Sequence, residues 1–154
     1  MRAEIRNSLS VLIGQPFWDL GTAGLQWFAF GPRRVVPSHA SGSSPREVGH
    51  FALHVQCPWR VASPGQLLAG SGDSSTDDFR ALLPLVVRDV DADDLGGLTI
   101  LLERGIRIDV FPDSTANCEL WRFFKPYAGE DHLLLEGPGP RFVRDATRSH
   151  DALT

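Results

Sequence analysis

A chain of 154 residues can bury about 68–70% of its unfolded surface in one core, so a single domain needs no metal or disulfide staple. An apolar fraction of 42% and a charged fraction of 22% are ordinary for a globular domain, and a net charge of -4 argues against a general nucleic-acid or anionic-membrane binder. No apolar run approaches the roughly 20 residues that span a bilayer, and the N-terminus lacks the charged, apolar and small-residue regions of a signal peptide, so a cytoplasmic protein without a membrane segment is expected.

Residues 3 to 13, AEIRNSLSVLI, place Ile5, Leu9, Leu12 and Ile13 on one face of a short amphipathic helix, stopped by Gly14 and Pro16. Phe17 and Trp18 then lead into an aromatic strand, Leu25 to Phe30, which Gly31-Pro32 is expected to end. Val36 to Arg46, rich in Pro, Ser and Gly, reads as a flexible surface loop. Beyond it Phe51, Leu53, Val55, Cys57, Trp59 and Val61 alternate with polar or small residues, which predicts one long strand with an edge or bulge at Pro58. A turn at Ser63-Pro64-Gly65 leads to a short return strand, Gln66 to Ala69. Phe79, Leu82 and Leu83 permit a helix of about two turns, capped by Ser75 or Thr76 and stopped by Pro84. Leu85 to Val90 is the next strand.

The stretch Leu95 to Phe124 carries the clearest hairpin. With a three-residue loop, Glu103-Arg104-Gly105, the opposed pairs are Leu102 with Ile106, Ile100 with Ile108, and Leu98 with Val110, all apolar. A two-residue loop would instead set Ile100 against Asp109 and leave neither face consistently apolar. The three-residue register sends Thr99, Leu101, Arg107 and Asp109 to the other face and puts Gly105 at the left-handed position of the turn. Strands follow at Trp121 to Phe124 and His132 to Leu135. Gly137-Pro138-Gly139-Pro140 then interrupts regular structure, so the domain is expected to span 1–136 and residues 137–154 to form a flexible tail. Short connections without a strand, helix, strand rhythm predict a mainly antiparallel α+β fold. A roll or half-open barrel of about seven or eight strands with one or two short helices fits.

Few residue patterns point to chemistry. His50 and His54 lie about 13 Å apart along a strand, too far for one ion to bridge. They share a strand face with Gln56 and Arg60, which reads either as a solvated face or as a polar strip facing a ligand. Asp89, Asp91, Asp93 and Asp94 lack the twelve-residue calcium-loop pattern and read as a capped turn, though whether they bind a cation is open. Cys57 and Cys118 have no metal or disulfide spacing around them and read as separate reduced thiols. No nucleophile elbow, Walker loop, dinucleotide fingerprint or HExxH is present, so neither cofactor nor metal is expected. Of the four tryptophans, Trp27, Trp59 and Trp121 fall in strands as core residues, and Trp18 is the one expected to be partly exposed.

Three segments, IGQPFWDLGTAGLQWFAFG, GHFALHVQCPWRV and DADDLGGLTILLERGIRIDVFPDS with ELWRFF, resemble a family of small uncharacterised bacterial proteins found largely in actinobacteria. The resemblance covers the chain to about His132, implies no activity and transfers no functional residue. In it, Ala69 to Leu82 is shorter than usual, which implies a more open pocket if that region covers one. Fourteen Arg against the single Lys125 also fits a GC-rich bacterial genome. The leading expectation is a non-enzymatic binding protein of immunity or accessory type, with a protein partner or small ligand met by Gln26, His54, Gln56, Arg60, Arg107 and Asp109. The alternative is a small-ligand enzyme with a pocket between the sheet and the N-terminal helix. A deep pocket holding His54 and a carboxylate would mark the enzyme, and a flat apolar patch the binder.

Overall fold

The computed structural model describes residues 1–22, 25–37, 44–72, 75–126 and 128–138, with the backbone of 141–145. Helix α1 (Arg2–Leu9) passes into a tighter turn, Ser10–Leu12, and buries Ile5, Leu9 and Leu12 as the helical spacing predicts, whereas Ile13, expected on the same face, lies past the turn in extended backbone and is 45% exposed. Strands β1 (Pro16–Thr22), β2 (Gln26–Val36), β3 (Arg46–Val55), β4 (Trp59–Ser63) and β5 (Gln66–Gly70) follow. Helix α2 (Asp77–Arg80) is one turn long, shorter than the two expected. Then come β6 (Leu85–Ala92), β7 (Leu98–Leu102), β8 (Arg107–Val110), β9 (Glu119–Phe124), β10 (His132–Glu136) and β11 (Arg141–Asp145).

Among the described residues these eleven strands form one open sheet in the order β11-β10-β9-β3-β2-β1-β6-β7-β8-β4-β5, antiparallel at every pairing. The expected class holds and the expected count of seven or eight does not. Three differences account for it. Pro16–Thr22, read as a lead-in, is a strand because it pairs with β2 along its length. The run from His50 to Val61 is two strands, since Gln56 to Pro58 turn a corner that takes the chain from β9's neighbour to β8's. Arg141–Asp145, read as tail, pairs with all of β10, so the sheet extends past the Gly-Pro stretch; residues 146–154 lie outside the described set.

The predicted hairpin register is the one present: Ile100 opposes Ile108, Leu98 opposes Val110, and the Leu102 N–H region closes on Ile106 with a 2.7 Å bond to its carbonyl. All six residues are buried. Gly105 has φ +68°, as its turn requires, and Arg104 before it is also left-handed at +62°. Gly31-Pro32 does not end β2. The register against β3 skips between Phe30 and Arg33, and Gly31 at φ +81° supplies the bulge that carries the strand on to Val36.

The seam between the two halves of the sheet is short. β1 meets β6 only through Pro16 with Val86 and Phe17 with Leu85, reinforced by bonds of Gly14 N–H to Val87 O (2.8 Å) and Val87 N–H to Gln15 O (2.9 Å). About this seam the sheet curls until its halves face each other. Phe28 on β2 meets Trp59 on β4 edge-on at 5.2 Å, and Trp121 on β9 donates its indole N–H to Gly96 O at 2.8 Å, beyond the far end of β6. The enclosed core runs from Leu135 and Trp121 through Phe28, Phe30 and Phe17 to Ile100 and Ile108, with α1 closing one side. Each fully buried ring or aliphatic side chain there contributes about 1.5–3 kcal/mol over its exposed state.

Candidate functional site

The corner after Val55 decides where the expected polar strip goes. Inward phase survives it, since Phe51, Leu53, Val55, Cys57, Trp59 and Val61 are all buried. Outward residues are nevertheless divided between the two halves. Gln56 sits exposed at the corner itself, where its backbone N–H reaches Leu120 O at 2.9 Å. His54 stays with β3 and Arg60 goes with β4, so His54, Gln56 and Arg60 do not form one surface.

Arg60 instead joins Arg107 and Asp109. β4 pairs with β8, which sets Arg60 opposite Asp109 with Arg107 two residues away on the same face. The Asp109 carboxylate, 5% exposed, accepts from Arg60 Nε at 2.8 Å and Arg107 Nε at 3.1 Å through one oxygen, and from Thr99 Oγ1 at 3.3 Å through the other. Arg60 also lies over the Phe111 ring at 5.1 Å. This knot stitches β4, β7 and β8 together on the outer surface, and its geometry is explained by the fold it holds.

His54 belongs to a second cluster on the outer side of β3, β9 and β10. Its ring stands edge-on to Phe124 at 4.7 Å, and Phe124 stacks on His132 at 4.5 Å. Across the ladder from His54 lies Arg122, which forms a two-pronged pair with Glu119 (2.8 and 2.9 Å) and reaches His132 Nδ1 at 2.7 Å. Burial lowers the His54 pKa to about 4; Glu119 opposes the shift, while Arg122, His132 and Arg46 add to it. This histidine is neutral at neutral pH and lines neither of the two hollows described below.

Concavity lies elsewhere, at the mouth between the ends of β1 to β3 and the β4–β5–α2 edge. A cleft of about 660 Å³ opens there, with Gln26, Trp27, Trp59, Ser71, Asp77 and Arg80 among its walls. Arg80 positions α2 over it, pairing with Asp19 at 3.1 Å and donating to the Leu20 carbonyl. Trp27 lies across Gly21 of the neighbouring strand, where a β-carbon would sit 2.5 Å from the indole. Gln26 is 9% exposed and donates from Nε2 to Trp27 O at 3.1 Å. The Ser71 hydroxyl bonds to both the N–H and the carbonyl of Trp59, at 3.2 and 3.3 Å. Cys57 lines the floor; burial, then the Asp113 and Cys118 charges, push its thiol up to about 12.

Of the expected site residues, then, Gln26 alone faces the cleft. The cleft does not lie against the N-terminal helix, which packs directly on β6. A smaller hollow of about 260 Å³ does border Arg2, with Asp91, Asp93 and Asp109 around it. Its acidic turn is capped from within, since Asp93 Oδ1 accepts from the N–H groups of Leu95 and Gly97, both at 2.8 Å. Trp18 is half-buried, with Arg33 over its ring at 4.5 Å. Alternation placed Trp27 in the core, and the segment 70–77 carries no motif that marks it as a wall. The available signal was Gly21, a strand glycine that marks the close approach of a large neighbour.

No family model, curated protein or solved structure matches the chain. Among the described residues no helix is long and apolar enough to cross a membrane, and no group of three or more His, Cys, Asp or Glu is placed to hold a metal.

Proposed function

We propose that this chain is a non-enzymatic binding protein that holds a small ligand in the cleft between the ends of its two sheet halves. The observation that carries this reading is the cleft itself: about 660 Å³, with two indoles set among mainly polar and small side chains, a volume within the roughly 300–1,000 Å³ of ligand pockets. Its chemistry favours holding over turnover. The Cys57 thiol stays protonated at neutral pH, the Ser71 hydroxyl is tied to the Trp59 backbone, and His54 lies outside the cleft.

Titration of the 15N-labelled protein with a fragment set of mixed charge tests the reading. Saturable shifts grouped at Trp27, Ser71, Asp77 and Arg80 are expected. Shifts confined to other surfaces, or none, would count against it.

A further inference from the structure

The groups that the cleft leaves without partners narrow the ligand class, an inference that rests on the binding reading above. Arg80 is a weakened anion site, because Asp19 offsets its charge and the Leu20 carbonyl takes another of its N–H groups. Asp77 is different. Its carboxylate, exposed at the rim of the cleft, has no hydrogen bond or ion pair among the described residues. The adjoining helix α2 is a single turn, too short for its dipole to neutralise that charge.

Gln26 adds a neutral acceptor. Its Nε2 is committed to Trp27 O, and its amide oxygen makes no hydrogen bond among the described residues. Among the described residues the cleft therefore offers a carboxylate without a protein partner, an amide oxygen and an indole, beside a guanidinium that is already paired. An anionic ligand would meet repulsion from Asp77. A neutral one would gain hydrogen bonds but no charge attraction from that carboxylate. A cation with N–H donors satisfies both, and the Trp27 ring favours it further through its negative face.

We propose that the ligand is a small organic cation bearing N–H donors, an amine or a guanidine, with Asp77 as its counter-ion and Gln26 and Trp27 beside it. The test uses three probes of matched length at constant ionic strength: 1,4-diaminobutane, 1,4-butanediol and succinate, each titrated into the full chain and followed by amide shifts. The diamine alone is expected to saturate the cleft. Asp77→Asn should weaken it at least tenfold, whereas Asp78→Asn, one residue away and not lining the cleft, should leave it unchanged. Equal binding of the diol or succinate, or diamine binding indifferent to Asp77→Asn, would overturn the cation assignment. Cleft shifts from neutral or anionic fragments with none from any amine would overturn it too, while leaving the binding reading intact. No cleft shift from any fragment would overturn both.

Discussion

His54 should make the fold acid-sensitive, and the size of the effect follows from its surroundings. Its pKa is about 4 in the folded protein against 6.5 for the free side chain, with burial as the main cause. Between those values the unfolded chain binds a proton that the folded chain refuses. Folded stability contributed by neutral His54 is therefore complete above about pH 6.5 and declines as pH falls, levelling off below about pH 4. Linkage puts the loss at about 2 kcal/mol by pH 5 and about 3 kcal/mol at the acid limit. The variant His54→Phe keeps a ring against Phe124 and removes the titration. Urea unfolding of both proteins at pH 7.5 and pH 5.0 isolates this residue, because every other carboxylate and histidine is common to the pair. Wild type should lose about 2 kcal/mol more than the variant. Equal losses, or a His54 pKa above 6 by NMR titration, would refute the burial of a neutral imidazole against Arg122 and Phe124.

Three further outcomes follow from single contacts. Gly105→Val puts a β-branched residue at φ +68° and should cost more than about 1 kcal/mol, measured by urea unfolding; unchanged stability would refute the hairpin geometry. Asp109→Ala should cost about 1–3 kcal/mol by removing the buried acceptor shared by three donors, whereas Arg107→Ala, about half exposed, should cost under about 1 kcal/mol; a larger loss from the arginine would contradict the asymmetry. With its pKa near 12, Cys57 should resist iodoacetamide at pH 8 in the folded protein and react only on unfolding. Rapid native-state labelling at that position, read by peptide mass, would show that the cleft floor is more open than the structure places it.

The parts legible in the sequence share one property: their geometry is set by neighbours close in the chain. The 98–110 hairpin needed only alternation and one glycine, because opposed residues are at most twelve apart and the wrong register puts Asp109 against Ile100. Helix α1 was legible for the same reason, from a spacing of three and four. The β3–β4 corner was not. Periodicity reports which way a side chain points, and Cys57 keeps the inward phase through the turn, so the alternation looks unbroken although the chain has changed halves. β11 was hidden by the reverse effect, since Gly-Pro composition describes the connection and says nothing of the unpaired edge of β10 that Arg141–Asp145 satisfies.

The same distinction explains the site. A polar strip drawn along one strand assumes that sequence neighbours remain surface neighbours, and the corner at Gln56 removes that assumption. Arg60 finds Asp109, 49 residues later, only because β4 adds to β8; both were singled out, but for separate strands and with no reason to meet. The cleft is more remote still, assembled from the adjoining ends of β1 and β2, the corner, and residues flanking α2. No one of these segments carries a recognisable motif, and each contributes residues that read locally as core or as loop. What joins them is the short β1–β6 seam, which lets the sheet curl far enough to face Gln26 and Trp27 toward α2. The proposed site would draw its specificity from Asp77 set beside groups some fifty residues earlier, so substitutions that loosen Arg80 from Asp19 are expected to weaken binding of the proposed cation through the placement of α2. Arg80→Met tests this point: a retained affinity would mean that α2 holds Asp77 in place without the Asp19 tether.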